Sequence, residues 1–386
     1  MGRRRTRLAR RHLLAAGTAT SVEQVNRALV CLHATDPATV YLSACARLPG
    51  FTTDQLDRAL YVERTLVKHL AMRRTLFLVD REDLPDVQAA ASDRVAGAEA
   101  RKMIRMVEAD GIAADGAAWL RRAEAAVLAA LADGRQAAST ELKAELPILQ
   151  GTVRYGAGRW SADLAIAPRV LTILSAQGRV VRATNRGDWA TSRPRWATAE
   201  SWLGSPVPAA EPALAHRRMV ERWLRRFGPG TADDLRWWLG STVTAVRRSL
   251  ADLGAVEVGM DGRTGYVLPD DVESPDDAPP EPWVALLPAL DPSPMGWTDR
   301  DWYVGEHGRL VYDSAGNAGP TVWSDGRIVG GWWQDPEGAV VVRLLDDVGR
   351  EAAVAIDAVA ERLTAWLDGR VVLPRFPSPL ARLAAG

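Results

Sequence analysis

Cysteine, phenylalanine, histidine and lysine are all scarce in this chain: two, four, five and three respectively in 386 residues. Two cysteines, Cys31 and Cys45, rule out a disulfide framework or a cysteine-rich zinc site. On the apolar faces of their predicted helices they read as small core residues of a protein in a reducing cytoplasm. The histidines are scattered, and no His/Cys/Asp/Glu set has metal-ligand spacing, so neither a metal nor a cofactor is expected. No apolar run approaches the length of a membrane span, and residues 1–20 hold no signal-like apolar core. Net charge is also missing: the formal value is +0, which argues against a protein that merely coats nucleic acid. Lysine is confined to Lys68, Lys102 and Lys143, so nearly all the positive charge is arginine.

What is present is a hydrophobic content of 47% and a charged content of 25%, ordinary for a globular protein, over a length that calls for two to four domains. The charge is unevenly placed. Arg3, Arg4, Arg5, Arg7, Arg10 and Arg11 crowd the start, whereas 270–281 is acidic. Such asymmetry fits either one basic face able to meet phosphate or a solvated basic tail.

The run His33-Ala34-Thr35-Asp36-Pro37-Ala38 is the most informative stretch. Asp followed by Pro starts a helix: Asp36 accepts from free first-turn N–H groups, and Pro37 sits where no N–H is needed. The preceding residues 22–32 are apolar at helical spacing, so His33 and Thr35 fall in a tight break between two helices. There they can converge on a small object such as a water molecule, near the positive end of a helix dipole. The plainer alternative is that His33 caps the first helix and Thr35 belongs to a turn.

A pattern of capped helices followed by a two-stranded hairpin recurs along the chain. It is clearest over 212–268: helices at 216–226, 232–239 and 243–253, strands at 255–260 and 264–268, and Asp261-Gly262 as the turn. A weaker copy has helices at 117–133, 141–146 and 162–177, a strand at 179–183 and a wing tip at 184–189. A third has helices near 21–32, 37–48 and 53–70, then a β-rich run at 75–79. Strands at 284–287, 309–312, 321–323, 328–333 and 340–345 and a helix at 351–367 make up the end. The expected fold class is therefore α+β. Three tandem winged-helix units (1–95, 96–205 and 206–268) lead through a linker at 269–282 into a β-rich, barrel-like domain at 283–386, closed by a helix. An asymmetric layout of this kind favours a monomer. Trp297, Trp302 and Trp323 are expected in the β-domain core, and of Trp237 and Trp238 one is expected inside.

Several blocks in this order resemble the YcaQ/AlkZ family of winged-helix DNA glycosylases. They are the helix-break motif with Asp36-Pro37; Arg73-Arg74-Thr75-Leu76-Phe77-Leu78-Val79; Leu286-Leu287-Pro288 with Asp291-Pro292; Gly296-Trp297-Thr298-Asp299-Arg300; and Pro320-Thr321-Val322-Trp323 with Asp325-Gly326-Arg327-Ile328-Val329-Gly330. The resemblance implies removal of alkylated purines from double-stranded DNA, including bulky N7-guanine adducts or interstrand crosslinks, in repair or in self-resistance to a genotoxic antibiotic. It also implies a cytoplasmic, nucleoid-associated enzyme. The family's catalytic pair is glutamine, one residue, then glutamine or aspartate; the matching positions here are His33 and Thr35.

An alkylated purine is already a good leaving group, and its departure leaves an oxocarbenium-like sugar. On this reading neutral His33 accepts a proton from water, the Thr35 hydroxyl orients that water, and Asp36 is the nearest carboxylate to offset the sugar cation. No lysine lies in a recognisable site motif, so a water-using, monofunctional enzyme is expected rather than one that forms a Schiff base. Candidate DNA contacts are Arg247 and Arg248 on the third unit's last helix, Arg263 at its wing, Arg182 and Arg186 beside the second wing, and Arg73 and Arg74. Gly316 and Asn317 lie in a loop of the C-terminal domain, in which the resemblance implies a hairpin that approaches the duplex. The departure at His33 and Thr35 supports a second reading, a non-catalytic DNA-binding protein or transcriptional regulator on the same scaffold.

Overall fold

A computed structural model describes residues 2–15, 19–156, 161–278, 280–375 and 377–384. Pro279, in the segment read as a linker, lies outside them. The chain forms two compact units: Met1–Ala59 together with Arg217–Gly386, and the intervening Leu60–His216. No helix among the described residues is long and apolar enough to cross a membrane.

The first unit opens with the helices Gly2–Arg11, Val22–Ala28, Pro37–Cys45 and Thr53–Asp57. From the second half of the chain come most of the helix Pro212–Phe227, then Ala232–Leu239 and Val243–Asp252, then the antiparallel strands Val256–Met260 and Arg263–Val267. That order of three helices and a hairpin is the one expected from the sequence. Thr231 and Asp234 form a capping box, and Gly240 ends the second helix with φ 60°. The hairpin is close-packed: a Cβ at Gly265 would lie 2.0 Å from the Met260 sulfur.

The C-terminal segment departs from the expected barrel. Strands Val284–Leu287, Thr321–Ser324, Arg327–Gln334 and Val340–Leu344 form an open antiparallel sheet in chain order. Four short strands leave two edges, and the helix Gly349–Leu367 packs against both edge strands. The fifth expected strand, at 309–312, is a helical turn, Gly308–Val311, because a short apolar run does not distinguish helix from strand. Between the sheet and the helices lies an aromatic cluster of Trp223, Phe227, Trp297, Trp302, Tyr303 and Trp323. The three expected core tryptophans are all buried there. Trp238 is buried as well, whereas Trp237 is half-buried beneath the Arg300 guanidinium.

Half of the arginines of the basic N-terminus are turned inward rather than held as a solvated tail: Arg4, Arg7 and Arg11 are buried, whereas Arg3 and Arg10 stay exposed. Arg7 bonds Asp277 at 2.6 Å and Asp271 at 3.3 Å, and Arg11 bonds Asp271 at 2.6 Å and Asp276 at 2.9 Å. Arg4 lies 4.1 Å over the Trp302 ring. The acidic segment read as a linker is thus pinned to the first helix through two short turns, Pro269–Asp271 and Pro275–Asp277. Opposite charges far apart in sequence neutralise each other, which the zero net charge left invisible.

The second unit has an antiparallel pair, Leu66–Leu70 with Leu76–Asp80, where a helix to residue 70 was expected. The helical run stops at Arg64, whose φ of 58° is left-handed and whose guanidinium lies 4.0 Å over the Trp202 ring. Helices Asp93–Ala109, Gly116–Ala130 and Ile166–Ala176 surround a core that includes Trp119, Val127, Leu142, Val170 and Leu174. The first residues of the helix expected at 162–177 are instead a strand, Ala162–Ala165, paired with Thr152–Tyr155. Pro168 explains the boundary, since proline fits only the first turn of a helix. Strands Ala137–Ala138, Pro194–Thr198 and Val180–Asn185 complete a three-stranded sheet with Pro194–Thr198 in the middle.

Candidate active site and nucleic-acid interface

The break that holds His33 and Thr35 is built by the residues just before it. Val30 takes φ 62°, which turns the chain out of the helix Val22–Ala28, and the Asn26 side-chain Oδ1 accepts from Leu32 N–H at 2.9 Å. Leu32 and His33 are extended, and Asp36 then caps Pro37–Cys45, with Pro37 in its first turn. His33 is 7% exposed and Thr35 half-buried, so solvent reaches this pair mainly at the threonine. The Thr35 backbone N–H donates to His33 Nδ1 across a long 3.4 Å. A neutral imidazole that accepts at Nδ1 carries its proton on Nε2.

Asp36 does something other than face a sugar cation. Its Oδ1 accepts from Ala38 N–H at 3.2 Å and its Oδ2 from Arg375 N–H at 2.9 Å, and it is buried. Both carboxylate oxygens hold backbone, one at the helix start and one in the C-terminal segment. Its effect on the break is positional.

The helix that Asp36 caps is fixed by a polar stripe that sequence reasoning missed. Thr39 donates to the Ala289 carbonyl at 2.8 Å, and Ser43 to Asp291 at 2.7 Å. Arg47 grips both Asp291 oxygens at 2.8 Å and also donates to the His12 carbonyl and Ser293. Arg47 and Asp291 are both fully buried. Burial alone would raise the Asp291 carboxyl, but the Arg47 charge and the bonds from Arg47, Ser43 and Ser293 hold it below the usual carboxylate range. His12, beside them, is pushed down to about 3 by burial and by Arg47, and its Nδ1 lies 2.9 Å from the Ser293 hydroxyl. The signal was available: Thr39 and Ser43 on an otherwise apolar helix, and Arg47 just past its end, recur every four residues.

The proposed DNA contacts differ in how committed they already are. In the first unit Arg247 is exposed, and Arg248 is exposed with Asp252 at 3.9 Å. Arg263 opens the returning strand of the hairpin, 3.5 Å from Asp299. Gly316 and Asn317 lie in a well-bonded turn: the Asp313 carboxylate accepts from the Ala315 and Asn317 N–H groups and from the Asn317 side chain, while Arg300 donates to the Gly316 carbonyl. In the second unit Arg73 and Arg74 both take positive φ between two strands, and Arg74 is paired with Glu99 at 2.9 Å. Arg186 is paired with Glu141 at 2.5 Å, and Arg182 lies 5.4 Å from the Trp196 ring. These two arginines line a groove of about 640 Å³ together with Arg193, an exposed residue the sequence reading passed over, and with Ser139, Thr140 and Thr172.

Comparison with known proteins agrees with this architecture. A family model described as DNA glycosylase AlkZ-like matches residues 27–366. A curated relative, the interstrand DNA cross-link repair glycosylase of Streptomyces sahachiroi, is 29% identical over 199 residues, an alignment spanning 50% of this chain and 52% of that protein. The chain thus matches about half the length of that relative. The solved structure of Streptomyces sahachiroi DNA glycosylase AlkZ superposes with a TM-score of 0.74 at 23% identity, over 96% of this chain and 98% of that one, and shares its fold. The chain belongs to the family of AlkZ-like DNA glycosylases.

Proposed function

We propose that this protein is a monofunctional DNA glycosylase. It hydrolyses the N-glycosidic bond of alkylated purines, with bulky N7-guanine adducts or crosslinks as substrates, in DNA repair or in self-protection against a genotoxin. The observation that carries this reading is the helix break. His33 and Thr35 stand next to a capped helix N-terminus, at the positions where the family pattern has its catalytic pair. The name of the Streptomyces relative supports crosslinked DNA as the substrate class.

In the reaction the C1′–N bond breaks, and its electron pair leaves with the alkylated base, whose positive charge it neutralises. Water oxygen then bonds C1′ and loses its proton to solvent. Because bond breaking runs ahead of attack, holding the water counts for more than a strong base. The Thr35 hydroxyl accepts from this water; with Nδ1 facing the Thr35 N–H, His33 positions the water rather than taking its proton, a departure from the general-base role expected from the sequence. The positive end of the dipole of Pro37–Cys45 would disfavour a sugar cation, so Asp36, capping that end, also moderates its field. Lys68 bonds the Tyr61 hydroxyl at 3.1 Å and Lys102 lies 3.9 Å over the Tyr155 ring, in keeping with hydrolysis rather than Schiff-base chemistry. We read 212–267 as a winged helix that grips the duplex backbone through Arg247, Arg248 and Arg263, with Arg182, Arg186, Arg73 and Arg74 as further contacts.

A second reading, DNA binding without catalysis, draws on the enclosure of His33, a residue only 7% exposed. Duplexes carrying defined N7-guanine adducts, incubated with the protein and scored for abasic sites, separate the two. Base release that is lost in His33→Ala, with duplex binding retained, supports the enzyme. Binding without release from any adduct supports the alternative. A covalent complex trapped by borohydride would overturn the monofunctional mechanism.

A further inference from the structure

The first unit contains a groove that neither His33 nor Thr35 lines. Its volume is about 810 Å³, within the range of about 300–1,000 Å³ of small-molecule sites. One wall is a single face of the helix Gly349–Leu367, which presents Ala355, Val359, Arg362, Leu363 and Trp366. Alanine and valine in the early turns leave room that larger side chains would fill. Across from them lie Trp283 and the strand Val284–Leu287, with Trp332 and the last turns of Pro37–Cys45 alongside. The aromatic end is preset: Trp366 is tilted 25° from Phe51 at 5.9 Å, and its indole N–H donates to the Phe51 carbonyl at 2.9 Å.

Charge decides what such a groove would take. Among the described residues that line it there is no aspartate or glutamate, and there are two cations. Arg47 is fully buried and committed to Asp291. Arg362 is exposed and has no hydrogen bond or ion pair among the described residues. Its neighbours three and four positions away are Ala358, Val359, Ala365 and Trp366, so no carboxylate on the same helix face can reach it. A flat apolar trough with one uncommitted guanidinium at its rim is complementary to an amphiphilic anion.

We propose that this groove binds a small amphiphile with a flat apolar body and a single carboxylate, sulfonate or phosphate group, which pairs with Arg362. The proposal is independent of the glycosylase reading. The test uses the full chain and two dyes that share a ring system, anilinonaphthalene sulfonate and its uncharged counterpart phenylnaphthylamine. Both should bind saturably at one site per chain. Arg362→Glu should weaken the sulfonate by about tenfold, as for loss of one charged hydrogen bond, and leave phenylnaphthylamine unchanged. Ala358→Trp, which fills the trough from an already half-buried position, should abolish both while the melting temperature holds. Absence of saturable binding, binding indifferent to both substitutions, or equal loss of the two dyes in Arg362→Glu would each overturn it. Direct binding of an apolar peptide, with neither dye bound, would replace the small molecule with a protein partner and overturn it as well.

Discussion

At the scale of single residues, His33 and Asp36 sit three positions apart and serve different ends. His33→Ala and Thr35→Ala should each reduce base release by about 100-fold or more, with little change in duplex affinity measured in parallel. The double change His33→Gln with Thr35→Asp restores the family's residue types at both positions; if these positions hold the water, the double variant should keep measurable base release where the alanine variants lose it. Asp36→Ala should act mainly on folding, costing about 0.5–2 kcal/mol through the lost cap, read by urea denaturation. A larger effect belongs to Asp291, whose removal strands Arg47 in the interior. Asp291→Ala should cost about 3–5 kcal/mol, and Asp291→Ala with Arg47→Leu should recover part of that loss.

At the scale of elements, the helix Val243–Asp252 makes the cleanest test of duplex contact, because Arg247 is exposed and the Asp252 contact with Arg248 is long. Replacing both arginines by alanine should lower the slope of log affinity against log salt by about one to two, and weaken all sequences alike. Arg74→Ala should change the slope less, since Glu99 already neutralises that side chain. Elements that carry their own punctuation were the ones legible in the sequence. Thr231, Gly240, Thr242 and Asp261-Gly262 mark starts and stops chemically, and their helices and hairpin lie where expected. Elements decided by distant partners were not. Nothing local in Leu66–Leu70 announces the pairing with Leu76–Asp80, and nothing in Arg7 or Arg11 announces Asp271. The break at His33 was readable because proline and a capping carboxylate follow it directly. The second bond of Asp36, to a backbone N–H 339 residues away, was not.

At the scale of the whole molecule, each unit contains a fully buried neutral histidine. His12 in the first is pushed to about 3 by burial and by Arg47, and His69 in the second to about 4 by burial. The unfolded chain titrates such groups near 6.5, so below that pH it binds more protons than the folded state. Stability should therefore fall as the pH drops from about 6.5 towards 4, by at most about 1.4 kcal/mol per pH unit for each histidine. Denaturation midpoints across that window check this, and His69→Gln should flatten the slope of the second unit's transition. The division of the chain into a continuous unit and a split one has a temporal consequence as well. On the ribosome, every residue of Leu60–His216 emerges before Asp271 or Asp291 has been translated. Arg7 meets a partner made 264 residues later, and Arg47 one made 244 residues later. The middle of the nascent chain can thus mature first, while its host keeps unmatched cations until synthesis is well past the halfway mark.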